Sequence, residues 1–155
     1  MEQEEIRINE HNKQEYPPMH TAEHILNATM VKLFGCGRAV TAHVERRKSK
    51  CDYNFDREPT PEEMAEVADA VNRVIAADMP VTEEYIDMEE AEGRFDLTRL
   101  PSGVSRTLRI IRIGDYDTCP CAGAHVKRTG EIGRFNMLGY IYTPGKLRIR
   151  YKVGL

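Results

Sequence analysis

The sequence predicts an α+β fold in which an antiparallel sheet packs with helices. Two long segments repeat apolar residues at helical spacing, and six shorter segments have the apolar runs or the alternation that are typical of strands. Few of these strands alternate with helices along the chain, as they would in a parallel sheet. The 155 residues suffice for one domain with its own apolar core.

A polar segment precedes the first helix. Residues 1–18 are predicted to form an N-terminal arm, and the Tyr-Pro-Pro sequence at 16–18 is expected to end regular structure before the helix begins. Apolar residues then recur at helical spacing from Met19 to Phe34, and Gly35 follows as a terminator. Residues 19–155 are predicted to form the single domain.

The second helix carries its own start signal. Thr60 is suited to the N-cap, Pro61 to the first helical position and Glu63 to closing a capping box. This helix is expected to run to about Ala77, and a short helix is expected at residues 88–93. Strands are predicted at residues 39–45, 50–56, 79–86, 108–113, 131–142 and 146–153. The last two would form a hairpin.

Composition excludes several classes of protein. The chain is 41% apolar and 30% charged, and its net charge of −3 argues against binding of nucleic acid through overall charge. No apolar run approaches the ~20 residues that span a bilayer, and the acidic N-terminus lacks the features of a secretion signal. We therefore expect a cytoplasmic protein without membrane association, whose four cysteines are thiols or metal ligands.

Two pairs of residues have the spacing of metal ligands. His20 and His24 are four residues apart, and Cys121 and His125 repeat this spacing about a hundred residues later. Residues i and i+4 of a helix share one face, so the first two imidazoles can bind one ion. Three imidazoles and a thiolate form a soft donor set that suits Zn²⁺. The sequence therefore predicts a zinc site that joins two distant segments.

Alternatives to a catalytic zinc centre remain open from the residues alone. Sites with four Cys and His ligands are usually closed and structural, so the metal could be a staple. Cys119 could replace Cys121 as the ligand, although two thiolates this close would form a cramped chelate. A zincin peptidase is disfavoured, because its glutamate directly follows the first histidine, whereas Thr21 stands there in this chain and Glu23 precedes the second histidine.

Five segments, in order, resemble one protein family. They are His-Thr-Ala-Glu-His-Ile-Leu at 20–26, Asn-Phe-Asp at 54–56, Val-Asn-Arg-Val-Ile at 71–75, Cys-Ala-Gly-Ala-His-Val at 121–126 and Thr-Gly-Glu-Ile-Gly at 129–133. The chain resembles the editing domains that accompany alanyl- and threonyl-tRNA synthetases, and most closely their short free-standing relatives of the AlaX type. The resemblance covers nearly all of residues 19–153.

The resemblance implies a fold, a cofactor and an activity. It implies helices on an antiparallel sheet with a metal in the cleft between them, and its ligands by position would be His20, His24, Cys121 and His125. The implied activity is trans-editing, the hydrolysis of the ester that joins a wrong amino acid to tRNA. Serine or glycine on alanine tRNA is the leading substrate, and serine on threonine tRNA is the alternative. Family members usually carry threonine or proline where this chain has Ala124.

Editing chemistry gives other residues candidate roles. A metal could activate water, polarise the ester carbonyl or hold the amino group, and the residues do not choose among these roles. His43 is a candidate general base or water-orienting group, and Thr41, on the same strand face, is a candidate selector of the amino acid. An exposed strand histidine is the competing interpretation of His43. Asp117 is either a hydrogen-bond partner of a metal-bound imidazole or an ordinary loop aspartate.

Basic residues favour contact with tRNA. They cluster at 46–50, at 127–128 and in the last predicted strand, where Lys146, Arg148, Arg150 and Lys152 alternate with apolar residues and share one sheet face. A phosphate-binding stripe and a solvated strand are both compatible with this alternation. Beside the editing motifs we favour RNA as the partner. A non-catalytic, zinc-stapled RNA-binding domain is the hypothesis from a different functional class.

Overall fold

Helices and antiparallel strands follow one another along residues 16–87 and 107–154, the part of the chain that the computed structural model describes. The elements are α1 Pro17–Phe34, β1 Thr41–His43, β2 Ser49–Phe55, α2 Pro61–Ala76, β3 Val81–Asp87, β4 Thr107–Ile113, β5 Asp117–Pro120, a 3-10 helix Thr129–Ile132, β6 Phe135–Thr143 and β7 Gly145–Val153. The predicted helix at 88–93 and residues 1–15 of the predicted arm lie outside the described residues.

The strands form two antiparallel sheets. One sheet has the order β1-β2-β7-β6 and the other has the order β3-β4-β5. This arrangement confirms the α+β class with antiparallel pairing. Two sheets replace the single sheet that the strand pattern suggested, and β5 was not predicted. No helix among the described residues is both long and apolar enough to cross a membrane.

The first helix begins earlier than the sequence suggested. Pro17 and Pro18 belong to its first turn, and Tyr16 is the N-cap with an extended backbone. A proline at the first helical position has a suitable φ and lacks only an N–H that would be unpaired there. The prediction that these prolines end regular structure was therefore wrong. The helix ends as expected, with Gly35 at φ 70° and its N–H donating to the carbonyl of Val31.

The second helix has the predicted capping box. The Thr60 hydroxyl accepts from the N–H of Glu63 at 3.1 Å, and the Glu63 carboxylate accepts from the N–H of Thr60 at 2.9 Å. Asn72 then ties α2 to the sheet, because its amide group donates to the carbonyl of Phe135 and accepts from its N–H. Two backbone groups at the start of β6 are thereby paired, which fixes that strand against the helix.

The core lies between the helices and one face of the four-stranded sheet. The fully buried residues of this sheet face are Cys51, Tyr53, Leu147, Ile149 and Tyr151. They pack with Met19, Ile25, Leu26 and Met30 of α1 and with Met64, Val67 and Val71 of α2. Because strand side chains alternate between faces, the intervening polar residues of β2 and β7 stand on the opposite, outer face.

Candidate metal centre

Four side chains converge where α1 meets the segment that follows β5. One donor atom from each of His20, His24, Cys121 and His125 lies within 4.8 Å of all the others. The first two come from adjacent turns of α1, and the other two come from the short segment after β5. These are the four residues that the paired spacing singled out, and they form a group that could hold a metal ion.

The distances between the donors suit a tetrahedral zinc ion. Nε2 of His20 lies 3.4 Å from the Cys121 sulfur, and Nε2 of His125 lies 3.5 Å from it. Zinc bonds of about 2.3 Å to sulfur and ~2.1 Å to nitrogen would separate two ligand atoms by roughly 3.6 Å at the tetrahedral angle. The side chains therefore already stand at the spacing of ligands around one ion.

Two of the imidazoles, those of His20 and His125, are oriented by a hydrogen bond at Nδ1, while their Nε2 atoms face the Cys121 sulfur. The Nδ1–H of His20 can donate to the carbonyl of Ala124 at 3.1 Å, which leaves Nε2 to face the sulfur. Nδ1 of His125 lies 2.9 Å from the hydroxyl of Thr21, which also accepts from the N–H of Val126. Such outer hydrogen bonds fix the orientation of metal-binding imidazoles. Thr21, the residue that disfavoured a zincin, therefore positions the opposite ligand pair.

The third imidazole, His24, is buried against a carboxylate. Its Nδ1 lies 3.6 Å from Oδ2 of Asp117, and this nitrogen is buried without a hydrogen-bond partner among the described residues. Arg38 donates to both oxygens of Asp117 at 2.8 and 3.2 Å. Burial would raise the pKa of Asp117, but its interactions with His24 and Arg38 outweigh burial and lower it. Asp117 is thus an ionised, buried partner of the cluster and stands on β5, not in a loop.

The electrostatics favour a thiolate at Cys121. Burial would raise the pKa of this thiol, but hydrogen bonds from His125, His20 and His24 outweigh burial and lower the pKa to about 2. Burial is the main cause that lowers the pKa of His125 to about 4, so this imidazole is neutral at neutral pH. A thiolate and a neutral imidazole are the protonation states in which Cys121 and His125 would bind a metal.

Cys119 differs from Cys121 in its position relative to the cluster and in the protonation of its thiol. It is outside the group of four converging side chains, and burial raises the pKa of its thiol to about 12. Its sulfur is 3.3 Å from the carbonyl of Pro120. The four cysteines of the chain are all free. Of the two candidates that the sequence left open, the structure brings Cys121 to the cluster.

Arg109 holds the segment that carries two of the four residues. From β4, its Nη1 donates to the carbonyls of Cys121 and Gly123 at 3.2 and 2.6 Å, and its Nε donates to Glu83 at 2.6 Å. The N–H of Cys121 donates in turn to the carbonyl of Arg109. The sequence did not point to Arg109 or Arg38. Each binds residues that are distant along the chain, and such contacts leave no local sequence pattern.

Comparison with known proteins relates the chain to editing proteins. Residues 108–150 match the family model of the threonyl and alanyl tRNA synthetase second additional domain. The alanine–tRNA ligase of Aeropyrum pernix is 32% identical over 140 residues, which are 87% of this chain and 15% of the ligase. The alanyl-tRNA editing protein AlaX-L of Pyrococcus horikoshii is 34% identical over 137 residues, 88% of this chain and 33% of that protein. This chain belongs to the second-additional-domain family.

The family match contains half of the metal cluster. Cys121 and His125 lie within the matched residues, whereas the two histidines of α1 precede them. The chain spans a third or less of the length of these relatives, 33% of AlaX-L and 15% of the Aeropyrum pernix ligase. The similarity therefore relates this chain to one domain of these longer proteins. The activity of this chain is a separate proposal.

The structure places Thr41 and His43 on the outer face of the four-stranded sheet. Ala42 between them packs against the core, and Thr41 pairs across the sheet with Asp52. The Thr41 hydroxyl donates to Oδ2 of Asp52 at 2.7 Å. Neither residue belongs to the group of four converging side chains. The roles predicted for them in this second additional domain, selection for Thr41 and catalysis for His43, stay predictions.

The same outer face carries a row of basic residues, of which only Arg148 forms an ion pair within residues 16–87 and 107–154. Lys50 stands directly opposite Arg150 across β2 and β7, and His43 stands directly opposite Lys50 across β1 and β2. Like charges directly opposite each other destabilise a sheet. By contrast Arg148 is paired with Asp52, its Nε donating to Oδ1 at 2.8 Å. The predicted basic face therefore exists, and Lys50 and Arg150 are two of its cations that form no ion pair among the described residues.

A separate cavity opens at the C-terminal end of α1. It has a volume of about 640 Å³ and is lined in part by Phe34, Cys36, Phe55, Arg57 and Glu63. Its arginine is already paired, since Arg57 donates to both carboxylate oxygens of Glu63 at 2.8 and 2.7 Å. None of the four converging residues lines it. The reactive groups of this second additional domain are concentrated at the metal cluster instead.

Proposed function

We propose that this chain is a trans-editing hydrolase that cleaves the ester between a wrong small amino acid and tRNA in the cytoplasm. Serine or glycine on alanine tRNA is the proposed substrate, and serine on threonine tRNA is the alternative. The observation that carries the proposal is the convergence of three imidazoles and a thiolate in a member of the second-additional-domain family. The similarity to an alanyl-tRNA editing protein supports the same reaction class.

His20, His24, Cys121 and His125 would hold a zinc ion. The donor types, the nitrogen–sulfur distances and the thiolate at Cys121 all suit this metal. When bound, zinc supplies a positive charge that can polarise an ester carbonyl or lower the pKa of water. The imidazole orientations depend on the chain itself, through the carbonyl of the exposed Ala124 and through the buried side chains of Thr21 and Asp117.

Size selection explains why such a hydrolytic site would exist. A synthetase that accepts alanine cannot exclude serine or glycine by binding alone, because one small group contributes only ~1–3 kcal/mol. A second site that hydrolyses the wrong ester solves this problem. The segment between Cys121 and His125 has only small side chains, Ala122, Gly123 and Ala124, which leaves room for a substrate backbone beside the cluster.

The tRNA would be recognised through its phosphates. The half-buried Lys50 and the exposed Arg150 lie opposite each other on the outer sheet face, and neither forms an ion pair among the described residues. Lys146 and Lys152 of β7 extend the same face on either side. A row of cations spaced along a strand can neutralise successive phosphates and release their counterions.

One observation favours a second candidate function, a zinc-stapled RNA-binding domain without catalysis. Four protein ligands saturate a tetrahedral ion, and His24 is buried. Both candidates predict zinc and tRNA binding, so neither property separates them. Hydrolysis of the ester does.

Deacylation of a panel of mischarged tRNAs tests the proposal. Purified protein is incubated with seryl- and glycyl-tRNA(Ala), seryl-tRNA(Thr) and correctly charged alanyl-tRNA(Ala), and the loss of the labelled amino acid is followed. The proposal expects hydrolysis of at least one mischarged tRNA well above the spontaneous rate and little hydrolysis of alanyl-tRNA(Ala). Binding of tRNA without any hydrolysis would favour the stapled RNA-binding domain.

A further inference from the structure

A carboxylate stands at the solvent-facing edge of the metal cluster. Glu23 lies on α1 between the two histidines, and its Oε1 is 3.8 Å from Nε2 of His20. This is the nitrogen of His20 that faces the Cys121 sulfur. The side chains of His20 and Glu23 are 15% and 16% exposed, whereas His24 is buried. The cluster is therefore partly accessible to solvent on the side where Glu23 stands.

A buried amide fixes the orientation of this carboxylate. The side-chain oxygen of Asn27 accepts hydrogen bonds from the Tyr53 hydroxyl at 2.7 Å and from the N–H of Ala39 at 3.2 Å. These two donors determine which end of the amide is oxygen. The amide NH2 must then point the other way, and it donates to Oε2 of Glu23 at 3.2 Å. Glu23 is thus held by a chain of groups that begins in the core.

The second oxygen of Glu23 is left for a cationic partner. Among the described residues, no lysine or arginine forms an ion pair with Glu23. Its carboxylate contacts the Asn27 amide and the His20 ring and interacts at longer range with His24 and Arg38. Glu23 is also outside the four converging donors, so it is not needed to complete the cluster. A half-buried, oriented carboxylate that accepts no hydrogen bond from a lysine or arginine of the described residues is suited to accept one from a cation that arrives with the substrate.

We propose that Glu23 binds the α-ammonium group of the amino acid whose ester is to be hydrolysed. The inference rests on the proposed editing function and names the group by which this site recognises its substrate. An ammonium–carboxylate hydrogen bond measures about 2.7–2.9 Å. The ester carbon lies only about 2.5 Å from the amino nitrogen by standard covalent geometry. Anchoring at Glu23 therefore holds the ester carbonyl against the cluster.

This contact makes the free amino group a determinant of specificity. An amino acid whose nitrogen is acylated, as in peptidyl-tRNA, has no positive charge to offer Glu23. Its acyl group would also occupy the space between the carboxylate and the cluster. The site would thus accept a mischarged aminoacyl-tRNA and reject a growing peptide on tRNA. The loss of one charge-assisted hydrogen bond corresponds to roughly 10- to 100-fold in binding.

The test compares Glu23→Gln with wild type on substrates that differ only at the amino group. Glutamine keeps the shape of the side chain and can still accept from Asn27, so the fold and the zinc content are expected to be retained. With seryl-tRNA(Ala), the variant is expected to lose 10- to 100-fold in kcat/KM. With N-acetylseryl-tRNA(Ala), variant and wild type are expected to react equally and slowly. Glu66→Gln, the same change at an exposed position of α2, is the matched control.

A binding measurement gives a readout that does not depend on turnover. The probes are 3′-serylamino-3′-deoxyadenosine, which cannot be hydrolysed, and its N-acetyl derivative. Wild type is expected to prefer the free-amino probe by at least tenfold, and Glu23→Gln is expected to lose this preference. Retention of the preference in the variant would overturn the role of Glu23, as would its absence in wild type. Failure of the editing function itself would appear differently, as wild-type binding of the probe without hydrolysis of seryl-tRNA.

Discussion

Oδ2 of Asp117 lies 3.6 Å from Nδ1 of His24, on the side of the imidazole that faces away from the cluster. Arg38 holds both oxygens of the same carboxylate, so Asp117 cannot rotate away. Burial would lower the pKa of His24, but the interactions with Asp117, Cys121 and Glu23 together outweigh burial and raise it. A carboxylate behind a metal-binding imidazole raises the basicity of the ligand and fixes its ring.

Asp117→Asn is expected to weaken zinc binding by roughly 10- to 100-fold, the usual effect of removing such an outer partner. The amide keeps the size of the side chain but removes the negative charge that faces His24 and Arg38. Affinity is measured by competition with a chromophoric chelator. Asp115→Asn, an exposed neighbour, is the control and is expected to keep the wild-type affinity. Equal zinc affinities in the two variants would show that Asp117 does not support zinc binding.

Cys121→Ser is expected to lose most of its zinc, whereas Cys119→Ser is expected to retain about one zinc ion per chain. The reason is that Cys121 is the thiolate of the cluster, whereas burial keeps the Cys119 thiol protonated. Elemental analysis of the purified variants measures the difference. The opposite pattern, with zinc kept in Cys121→Ser and lost in Cys119→Ser, would reverse the ligand assignment.

Local signals explain which parts of the fold and site were predictable. The helix after Thr60 is predictable from its N-cap and its first-turn proline, and the two ligand pairs are predictable from their four-residue spacing. β5 has only four residues and ends in Pro120, so it shows no alternation. The division into two sheets depends on strand pairing across the whole chain. Arg38 binds a residue 79 positions away, a contact that no sequence window contains.

Replacing Lys50 and Arg150 together by glutamate is expected to weaken tRNA binding and to reduce the slope of log K against log salt by about two. These cations stand opposite each other without an acidic partner, whereas the charge of Arg148 is neutralised by Asp52. We therefore expect the effect from Lys50 and Arg150 and not from Arg148. Binding is followed by fluorescence anisotropy over a salt series.

The control for this charge reversal is the double change Lys32→Glu and Arg73→Glu. It alters the net charge equally but acts on the two helices, away from the outer sheet face. If both double variants lose the same affinity, the tRNA responds to overall charge and the basic row has no special role. An unchanged salt slope in the Lys50 and Arg150 variant would contradict phosphate contact by this row.

His43→Ala tests the catalytic role that the sequence predicts for this residue. A positioned acid or base contributes roughly 10²–10⁴-fold, so loss of that magnitude in a single-turnover rate is the expected result. The placement of His43 directly opposite Lys50 gives the contrasting outcome, a rate within about threefold of wild type and a weaker affinity for tRNA. Measurement at saturating protein separates the rate from the affinity.

Asp52→Asn is expected to lower stability at neutral pH and to have little effect in strong acid. Hydrogen bonds from Arg148, aided by Thr41, lower the folded-state pKa of Asp52 to about 2 from its ordinary 3.8. A lowered carboxyl pKa stabilises the folded state fully above the ordinary value, and the contribution is lost as pH falls through the folded value. The difference in urea midpoint between wild type and variant should therefore shrink between about pH 5 and pH 2.

Zinc in this centre would join two parts of the chain that lie 101 residues apart, His20 and Cys121. An ion that binds only the folded chain stabilises it by about 2.7 kcal/mol at a hundredfold excess over its Kd. The proportion of folded protein would then depend on metal supply. The proposed editing activity would then follow the concentration of free zinc, even where the ester itself never touched the ion.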